Sequence, residues 1–378
     1  MKVAIIGGGF AAGLHAQAAK KAGAEVALVS GRSGESAKRA AEALGASGYA
    51  VIRDGILDEA LFSDEIDAVH ICTPPTVHAS YAYQLIRRGK PVLCEKPLAA
   101  DAAQAAEMAR MAKEGGTVAA MVLNVRFHAA CQRARQIMLS GELGEPLLIH
   151  GSYLQEFHAL PCPYDWRYDP LLAGEGRAVT EIGTHWFDIA QYISGRKITA
   201  VSAFSSNFHP VRRVRDNIMY PAQSCGQETI QENEDGLLQV SSEDSLSAHL
   251  RFEGGAAGNV LLSEISSGRG NRLFLEIVCE NGSLWWNEED NNRLYTARKG
   301  EGIREELFAF GNGFGDTFEA LVASFYESVR AARGAETGGS FIPCPGFDEG
   351  EQIARICGAA LRSAKEGSAW INVEEDLV

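Results

Sequence analysis

No apolar run in the 378 residues approaches the roughly 18 consecutive residues that a membrane-spanning helix needs. Cysteine is present without pattern: Cys72, Cys94, Cys131, Cys162, Cys225, Cys279, Cys344 and Cys357 lie scattered, with no C-x-x-C pair. That spacing suggests neither a zinc site nor a disulfide framework, and the thiols are expected to be small buried hydrophobes. Positive charge is scarce: Lys and Arg number 35 against 49 Asp and Glu, a formal net charge of −14, and no lysine–arginine stripe interrupts the deficit. A nucleic-acid-binding face is therefore not expected. No fixed-period repeat or low-complexity tract is visible. The opening "MKVAIIGGGF" carries one basic residue, and glycines cut its apolar run short. It lacks the apolar core and cleavage site of a secretory signal, so it reads as a first strand and the chain as cytoplasmic.

What is present is ordinary for a globular protein, 46% hydrophobic and 22% charged residues. The length suits two domains, and two rhythms divide the chain. Up to residue 124, short apolar runs ("KVAIIG", "EVALVSG", "DAVHICTPP", "PVLCEKP", "TVAAMVLN") alternate with alanine-rich helical stretches that stop near glycine. Strand then helix, repeated, calls for a parallel sheet with helices on both faces, because each parallel crossover needs about a dozen residues. Residues 125–378 change pattern. A helix at "AACQRARQIMLSGELG", a strand at "PLLIHGSYL", a loop "LPCPYDWRYDP" and a helix "AVTEIGTHWFDIAQYISG" come first. Strands with tight turns follow: "ITAVSAFSSNF", "DSLSAHLRF", "AAGNVLLSEIS", "RLFLEIVCE" and "GSLWWNEED", then a last helix "DEGEQIARICGAALRSAKEG". The expected fold is α/β: an N-terminal doubly wound Rossmann domain (1–124), then an α+β domain (125–378) with a large, mostly antiparallel, mixed sheet.

"VAIIGGGFAAG" sets Gly7 and Gly9 behind the first strand and Ala12 at the opening of a helix, the G-x-G-x-x-G/A spacing of dinucleotide folds. Gly7 permits the turn, Gly9 lets backbone approach a pyrophosphate, and Ala12 allows close helix–strand packing. Phe10 and Ala11 share the turn, and the helix N-terminus presents N–H groups to phosphate. The second strand ends at Ser30-Gly31-Arg32-Ser33, where NAD-preferring sites usually place a carboxylate for the ribose 2′-hydroxyl. With no carboxylate to repel a 2′-phosphate and Arg32 able to pair with one, NADP(H) is favoured and NAD(H) possible. Arg32 has two other readings, a solvated loop residue or a cover for adenine. "ICTPPTVH" places Thr73, Pro74 and Pro75 beyond a strand's carboxyl end, where such sheets bind ligands. Thr73 and His78 can donate to phosphate or ribose; alternatively Thr76 caps the next helix and His78 lies along its first turn. In "LCEKPL", Glu95, Lys96 and Pro97 follow directly on another buried strand.

With the glycine turn, "CTPPTVH" and "CEKP" in order, the chain resembles the Gfo/Idh/MocA family of oxidoreductases, the glucose–fructose oxidoreductase and inositol dehydrogenase group. The resemblance takes in "MVLNVRFH", with Asn124 at the domain junction, "GELGEPLLIHG" and the tail "WINV". It implies that Lys96 is aimed over the nicotinamide face by the strand end and Pro97. It also implies a D-x-x-x-H pair on a second-domain helix, supplied here with Glu for Asp by Glu181 and His185. Four-residue spacing puts these on one helical face. Lys96 and His185 are then expected to share removal of a hydroxyl proton as hydride leaves the alcohol carbon, with Glu181 orienting His185. Asp188 is expected to be structural. Glu95 joins the cofactor-binding set with Lys96 and Asn124. Trp166 and Arg167 match a pair that some family members bring to the nicotinamide end, or else they anchor their loop. Tyr153, His158, Tyr164 and Arg126 are further pocket candidates; "SGRGNRL" (267–273) is expected to carry no chemistry.

The resemblance implies an NAD(P)-dependent dehydrogenase or reductase for a sugar, polyol or sugar derivative, without metal, nucleic-acid or membrane partner, and assembled as a homodimer or homotetramer. Alternatives are redox-assisted elimination or glycosidic cleavage with retained cofactor, and a nucleotide- or sugar-responsive binding protein without chemistry.

Overall fold

The computed structural model describes residues 1–221, 236–311, 313–335 and 341–374, so Cys225 lies outside the described residues. The chain divides into two compact units, residues 1–128 with 311–354, and residues 129–310 with 355–378.

The first unit opens with β1 (Lys2–Ile6), α1 (Phe10–Lys21), β2 (Glu25–Gly31), α2 (Gly34–Leu44) and β3 (Gly48–Val51). It continues with β4 (Ala68–Ile71), α3 (His78–Arg87), β5 (Val92–Cys94), α4 (Ala102–Glu114) and β6 (Ala119–Met121). The strands form one parallel sheet in the order β3-β2-β1-β4-β5-β6, which turns back between β1 and β4. That is the doubly wound order whose ligand crevice lies at the reversal. Covered on both faces, β4 and β5 are buried at every residue, β5 apolar throughout and β4 apolar apart from His70. Helix starts follow capping rules. Ser33 and Ser36 form a reciprocal capping pair at α2, and Asp101 accepts the Gln104 N–H at 2.8 Å to start α4. α2 stops at Gly45, whose φ of 62° a residue with a Cβ would adopt at a cost.

The second unit holds α5 (Ala129–Ser140), β7 (Pro146–Leu154), β8 (Cys162–Pro163), α6 (Pro170–Ala173), α7 (Thr184–Ser194) and β9 (Ile198–Ser206). Next come β10 (Val211–Arg215), β11 (Ile218–Pro221), β12 (Gly236–Gln239), β13 (Ser245–Phe252), β14 (Ala257–Ser263), β15 (Arg272–Cys279), β16 (Gly282–Asn287), β17 (Arg293–Arg298), β18 (Ile303–Leu307) and β19 (Ile371–Asn372). Nine of these strands form the large sheet β18-β17-β16-β15-β7-β14-β13-β9-β19, in which β14 and β7 run parallel and the other pairs antiparallel. The mixed sheet is the one expected. Strict alternation along β13 buries Leu246, Ala248, Leu250 and Phe252 and exposes Ser247, His249 and Arg251. Opposite faces of one strand thus serve core and solvent. A second sheet, β12-β10-β11-β8, closes on Tyr168, Met219 and Val240 and was not visible in the sequence pattern.

Residues 311–354 correct the contiguous division at 124/125. α8 (Phe314–Ala332) packs with the first unit, where Phe318, Leu321, Val322, Phe325, Tyr326 and Val329 join the core cluster of β1 and α1. α9 (Phe347–Lys365) belongs to the first unit up to residue 354 and to the second from 355.

Candidate active site

In the first unit the glycine turn is built as the sequence requires. Gly7 has a φ of 115°, and a Cβ there would stand 2.5 Å from the Cys72 carbonyl oxygen, so no other residue fits. Its N–H donates to Ser30 O at 2.9 Å, tying the β1 turn to the end of β2. At Gly9 a Cβ would meet none of the described residues within 4 Å, leaving that side of the backbone open to a ligand. Ala12 is fully buried and Phe10 is exposed.

The buried Ser30 and Thr73 hydroxyl oxygens, at the carboxyl ends of β2 and β4, have no hydrogen-bond partner among the described residues. A buried hydroxyl left unpaired is costly, so these two oxygens await an outside partner. Together with the open Gly9 backbone they fit a dinucleotide. Gly31 and Arg32 follow Ser30, with Arg32 exposed; Pro74 and Pro75 follow Thr73.

Other expected cofactor contacts are committed to the protein. His78 is the first residue of α3 and fully buried, with Nδ1 at 3.0 Å from Pro97 O and Nε2 at 2.7 Å from Thr73 O. Burial holds its imidazole below the ordinary range despite those carbonyls. It staples the loop after β4 to the loop after β5, in keeping with the second of its two expected readings, a residue on the first turn of α3. Asn124 is buried and donates to Thr317 Oγ1 at 2.9 Å, so it anchors α8. Arg126 is likewise buried and pairs with Glu349 at 3.2 Å rather than standing free as a pocket residue.

Glu95 and Lys96 follow β5, and the Lys96–Pro97 peptide is cis. Glu95 Oε2 accepts the Lys96 backbone N–H at 3.1 Å, and Oε1 lies 3.1 Å from His15 Nε2. Burial alone would raise the Glu95 carboxyl, but the His15 hydrogen bond, with the Lys96 charge and backbone N–H, brings it below its ordinary range. The carboxylate is ionised. His15, on α1, and the His70 beyond it on β4 are site residues that the sequence reading missed. The signal was present: "AVHI" places a titratable ring in a strand otherwise wholly apolar.

In the second unit Glu181 lies in a five-residue π-helical turn (Val179–Gly183) that runs directly into α7 and His185. This corrects the expected regular helix: a wide turn sets the spacing of the two side chains, a feature that recurs at functional sites. Glu181 Oε2 accepts from Arg167 Nε at 3.0 Å, and Arg167 Nη1 also reaches Asp165 Oδ2 at 3.1 Å. The Arg167 guanidinium carbon stands 4.6 Å over the Trp166 ring. Burial opposes the Arg167 charge, but Glu181 and Asp165 outweigh it and hold the cation firmly. Trp166 and Arg167 therefore form one block with Glu181.

Tyr153 lies beside His185, ring centroids 6.3 Å apart, and donates to Asn271 Oδ1 at 2.7 Å, an oxygen that Gln155 Nε2 also reaches at 2.6 Å. Burial, reinforced by Glu288, pushes the phenol well up, so it keeps its proton. Asn271 belongs to the stretch expected to carry no chemistry, and it fixes the residue packed against His185. Tyr164 is half exposed, and its N–H donates to Asn217 O at 2.9 Å. Asp188 is buried in α7.

His158 is not a pocket residue. It is buried, bonded through Nδ1 to Tyr168 Oη, and its pKa is pushed down to about 2 by burial and by the cations of Arg177 and Arg212. It belongs to a buried charge network in which Arg177 bonds Asp244 and Glu264, while Arg177 and Arg212 flank the Tyr168 ring at 4.9 and 4.5 Å. No cluster of His, Cys, Asp and Glu suited to a metal ion, and no helix long and apolar enough to cross a membrane, occurs among the described residues.

Residues 1–123 match the family model described as GFO_IDH_MocA, oxidoreductase family, NAD-binding Rossmann fold, and residues 131–285 match the GFO/IDH/MocA C-terminal domain. Levoglucosan dehydrogenase of Pseudarthrobacter phenanthrenivorans is 30% identical over 335 residues, 82% of this chain and 81% of that one. A D-xylose 1-dehydrogenase [NADP(+)] of Haloarcula marismortui is 33% identical over 132 residues, 35% of this chain and 36% of its own. Among solved structures, a levoglucosan dehydrogenase in complex with NADH and levoglucosan has a TM-score of 0.82 at 26% identity, covering 99% of this chain and 100% of its own.

Proposed function

The chain belongs to the Gfo/Idh/MocA family of oxidoreductases, with its NAD-binding Rossmann fold, and on that premise we propose an NAD(P)-dependent dehydrogenase or reductase that acts on an alcohol or carbonyl carbon of a sugar, polyol or sugar derivative. The observation that carries this reading is the position of Lys96: it is the second residue beyond β5 at the carboxyl edge of a parallel sheet, in the unit with the open glycine turn.

The bound dinucleotide supplies the hydride acceptor for oxidation, or the donor for reduction. The protein supplies the proton chemistry. Lys96 Nζ and a ring nitrogen of His185 share the hydroxyl proton that must leave as the carbon is oxidised, and they return it in the reverse direction. Glu181, locked by Arg167, sits in the π-turn that leads into α7 and His185. The neutral phenol of Tyr153, fixed by Asn271, forms a wall beside the imidazole. Assembly as a homodimer or homotetramer belongs to the same reading.

Purified protein offered levoglucosan, xylose and a panel of sugars and polyols with NAD+ or NADP+ is expected to show substrate-dependent absorbance of reduced nicotinamide. Product formation without net reduction would overturn this reading in favour of elimination or cleavage chemistry.

The cofactor preference proposed is NADP(H), because Ser30, Arg32 and Ser33 place no carboxylate at the end of β2 and Arg32 is exposed there. Arg32→Ala is expected to weaken NADP(H) binding about ten- to a hundredfold, the loss of one charge-assisted contact, and to leave NAD(H) binding nearly unchanged. Titrations of both cofactors check this. Equal weakening of the two would remove Arg32 from 2′-phosphate recognition.

A further inference from the structure

Behind Glu95 a line of buried polar side chains runs into the first unit. His15 Nε2 lies 3.1 Å from Glu95 Oε1, His15 Nδ1 lies 2.8 Å from His70 Nδ1, and His70 Nε2 lies 3.1 Å from Tyr326 Oη. His15, His70 and Tyr326 are each fully buried, and they come from α1, β4 and α8. Phe318 and Phe325 of α8 pack edge-on against the two imidazoles, with centroids 5.0 and 6.0 Å away. Every ring nitrogen in the line has one partner.

The chemistry of the end group gives the line a direction. An ionised carboxylate can only accept, so His15 carries a proton on Nε2, and with the ring neutral its Nδ1 presents a lone pair. His70 must then donate from Nδ1, which leaves its Nε2 as an acceptor for the Tyr326 hydroxyl. All three bonds point toward Glu95, and successive bonds in a dry interior polarise one another. The surroundings agree. Burial pushes His70 well below the ordinary imidazole range and the Tyr326 phenol far up, so both stay neutral.

The titratable and charged groups near Glu95 are His15, Lys96, Cys72, Cys94 and His78; near Tyr326 they are Cys72 and Arg330. Burial raises both thiols and lowers His78. His15 and Lys96 are therefore the groups that stabilise the Glu95 anion. Packing alone does not require such a line, since three apolar side chains would fill the same volume without polar groups to satisfy.

We propose that Tyr326, His70 and His15 are positioning residues, a one-directional hydrogen-bond chain that keeps the Glu95 carboxylate ionised and fixed beside Lys96. Their effect on turnover rests on the assignment of Lys96 as an acid–base group; their effect on Glu95 does not. Glu95 has a depressed folded-state pKa, so it is ionised above that value and loses its charge as pH falls through it. Cutting the chain moves that loss to higher pH.

The first test uses cofactor-free protein, with Glu95 titrated by infrared difference spectroscopy against Glu95→Gln. His15→Leu is expected to move the Glu95 titration up by about one pH unit, a tenfold change in its ionisation constant. Tyr326→Phe, which removes one oxygen at the far end, is expected to move it less and in the same direction. With cofactor and substrate, the acid limb of kcat/KM is expected to shift by the same amounts, with KM changing less than kcat. Lower activity or stability with an unmoved Glu95 titration would reduce the chain to packing and overturn the proposal. Turnover surviving in Lys96→Met would sink the assignment of Lys96 while the Glu95 titration still decides the chain. Imidazole nitrogen shifts of the unmodified protein serve if the variants do not fold. They are expected to show His15 protonated at Nε2 and His70 at Nδ1; the opposite tautomers would contradict the direction and the proposal with it.

Discussion

Lys96→Met is expected to lower kcat by roughly a hundred- to ten-thousandfold, the usual worth of a positioned general acid or base, while dinucleotide affinity stays within about twofold by the same separation of proton transfer from binding. Methionine keeps the unbranched stem and removes only the ammonium. The backbone contact between Lys96 N and Glu95 Oε2, and the staple from His78 to Pro97, do not depend on the side chain. The lost group is therefore the one that handles a proton at Nζ, and the deficit is expected in kcat and kcat/KM together. A kcat within about threefold of the parent would remove Lys96 from the mechanism, because even weak acid–base catalysis contributes more. Cofactor titration by nicotinamide fluorescence separates the two effects.

The largest expected loss of stability lies in the second unit. Arg177 is fully buried; its guanidinium bonds Asp244 and Glu264 and reaches Ser242 Oγ at 3.2 Å, and its backbone N–H donates to Glu243 at 3.0 Å. Arg177→Met fills much of the same space but strips the buried Glu264 of its guanidinium and leaves Asp244 only the more distant Arg212, at 4.0 Å. Removing one partner of a buried pair costs about 3–5 kcal/mol, because the other charge is left in a dry interior. Arg177 O also accepts the Glu181 N–H at 2.7 Å, so this residue is hydrogen-bonded to the π-turn that leads to His185. Loss of thermal stability is therefore expected to accompany loss of activity. A melting midpoint within a degree or two of the parent, with activity intact, would show that the network relaxes without Arg177.

Where structure resides in consecutive residues, the sequence was sufficient. The glycine turn, the parallel strand–helix rhythm and "CEKP" each depend on local geometry, and the structure places Gly7, Gly9 and Lys96 at the carboxyl edge of the sheet as that geometry demands. What depends on distant partners was not legible. α8 is an amphipathic helix whose apolar stripe does not say which unit will bury it, and only the structure returns it to the first unit beside His15 and His70. His78 carries the same ring whether it meets a phosphate or two backbone carbonyls, and burial decided for the carbonyls. His158 shared a polar loop with Trp166 and Arg167, yet its neighbours Arg177 and Arg212 come from later in the chain. Glu181 and His185 were expected from the resemblance, but the π-turn between them was not legible, since a wide turn arises from packing rather than from a residue pattern.

The most direct measurement is a crystal structure of the protein with reduced dinucleotide and a substrate that passes the activity screen. Lys96 Nζ and one ring nitrogen of His185 are expected within about 3.2 Å of a single substrate oxygen, the reach that proton transfer needs. A substrate oxygen held by other groups, with Lys96 or His185 turned away from it, would contradict the shared acid–base assignment.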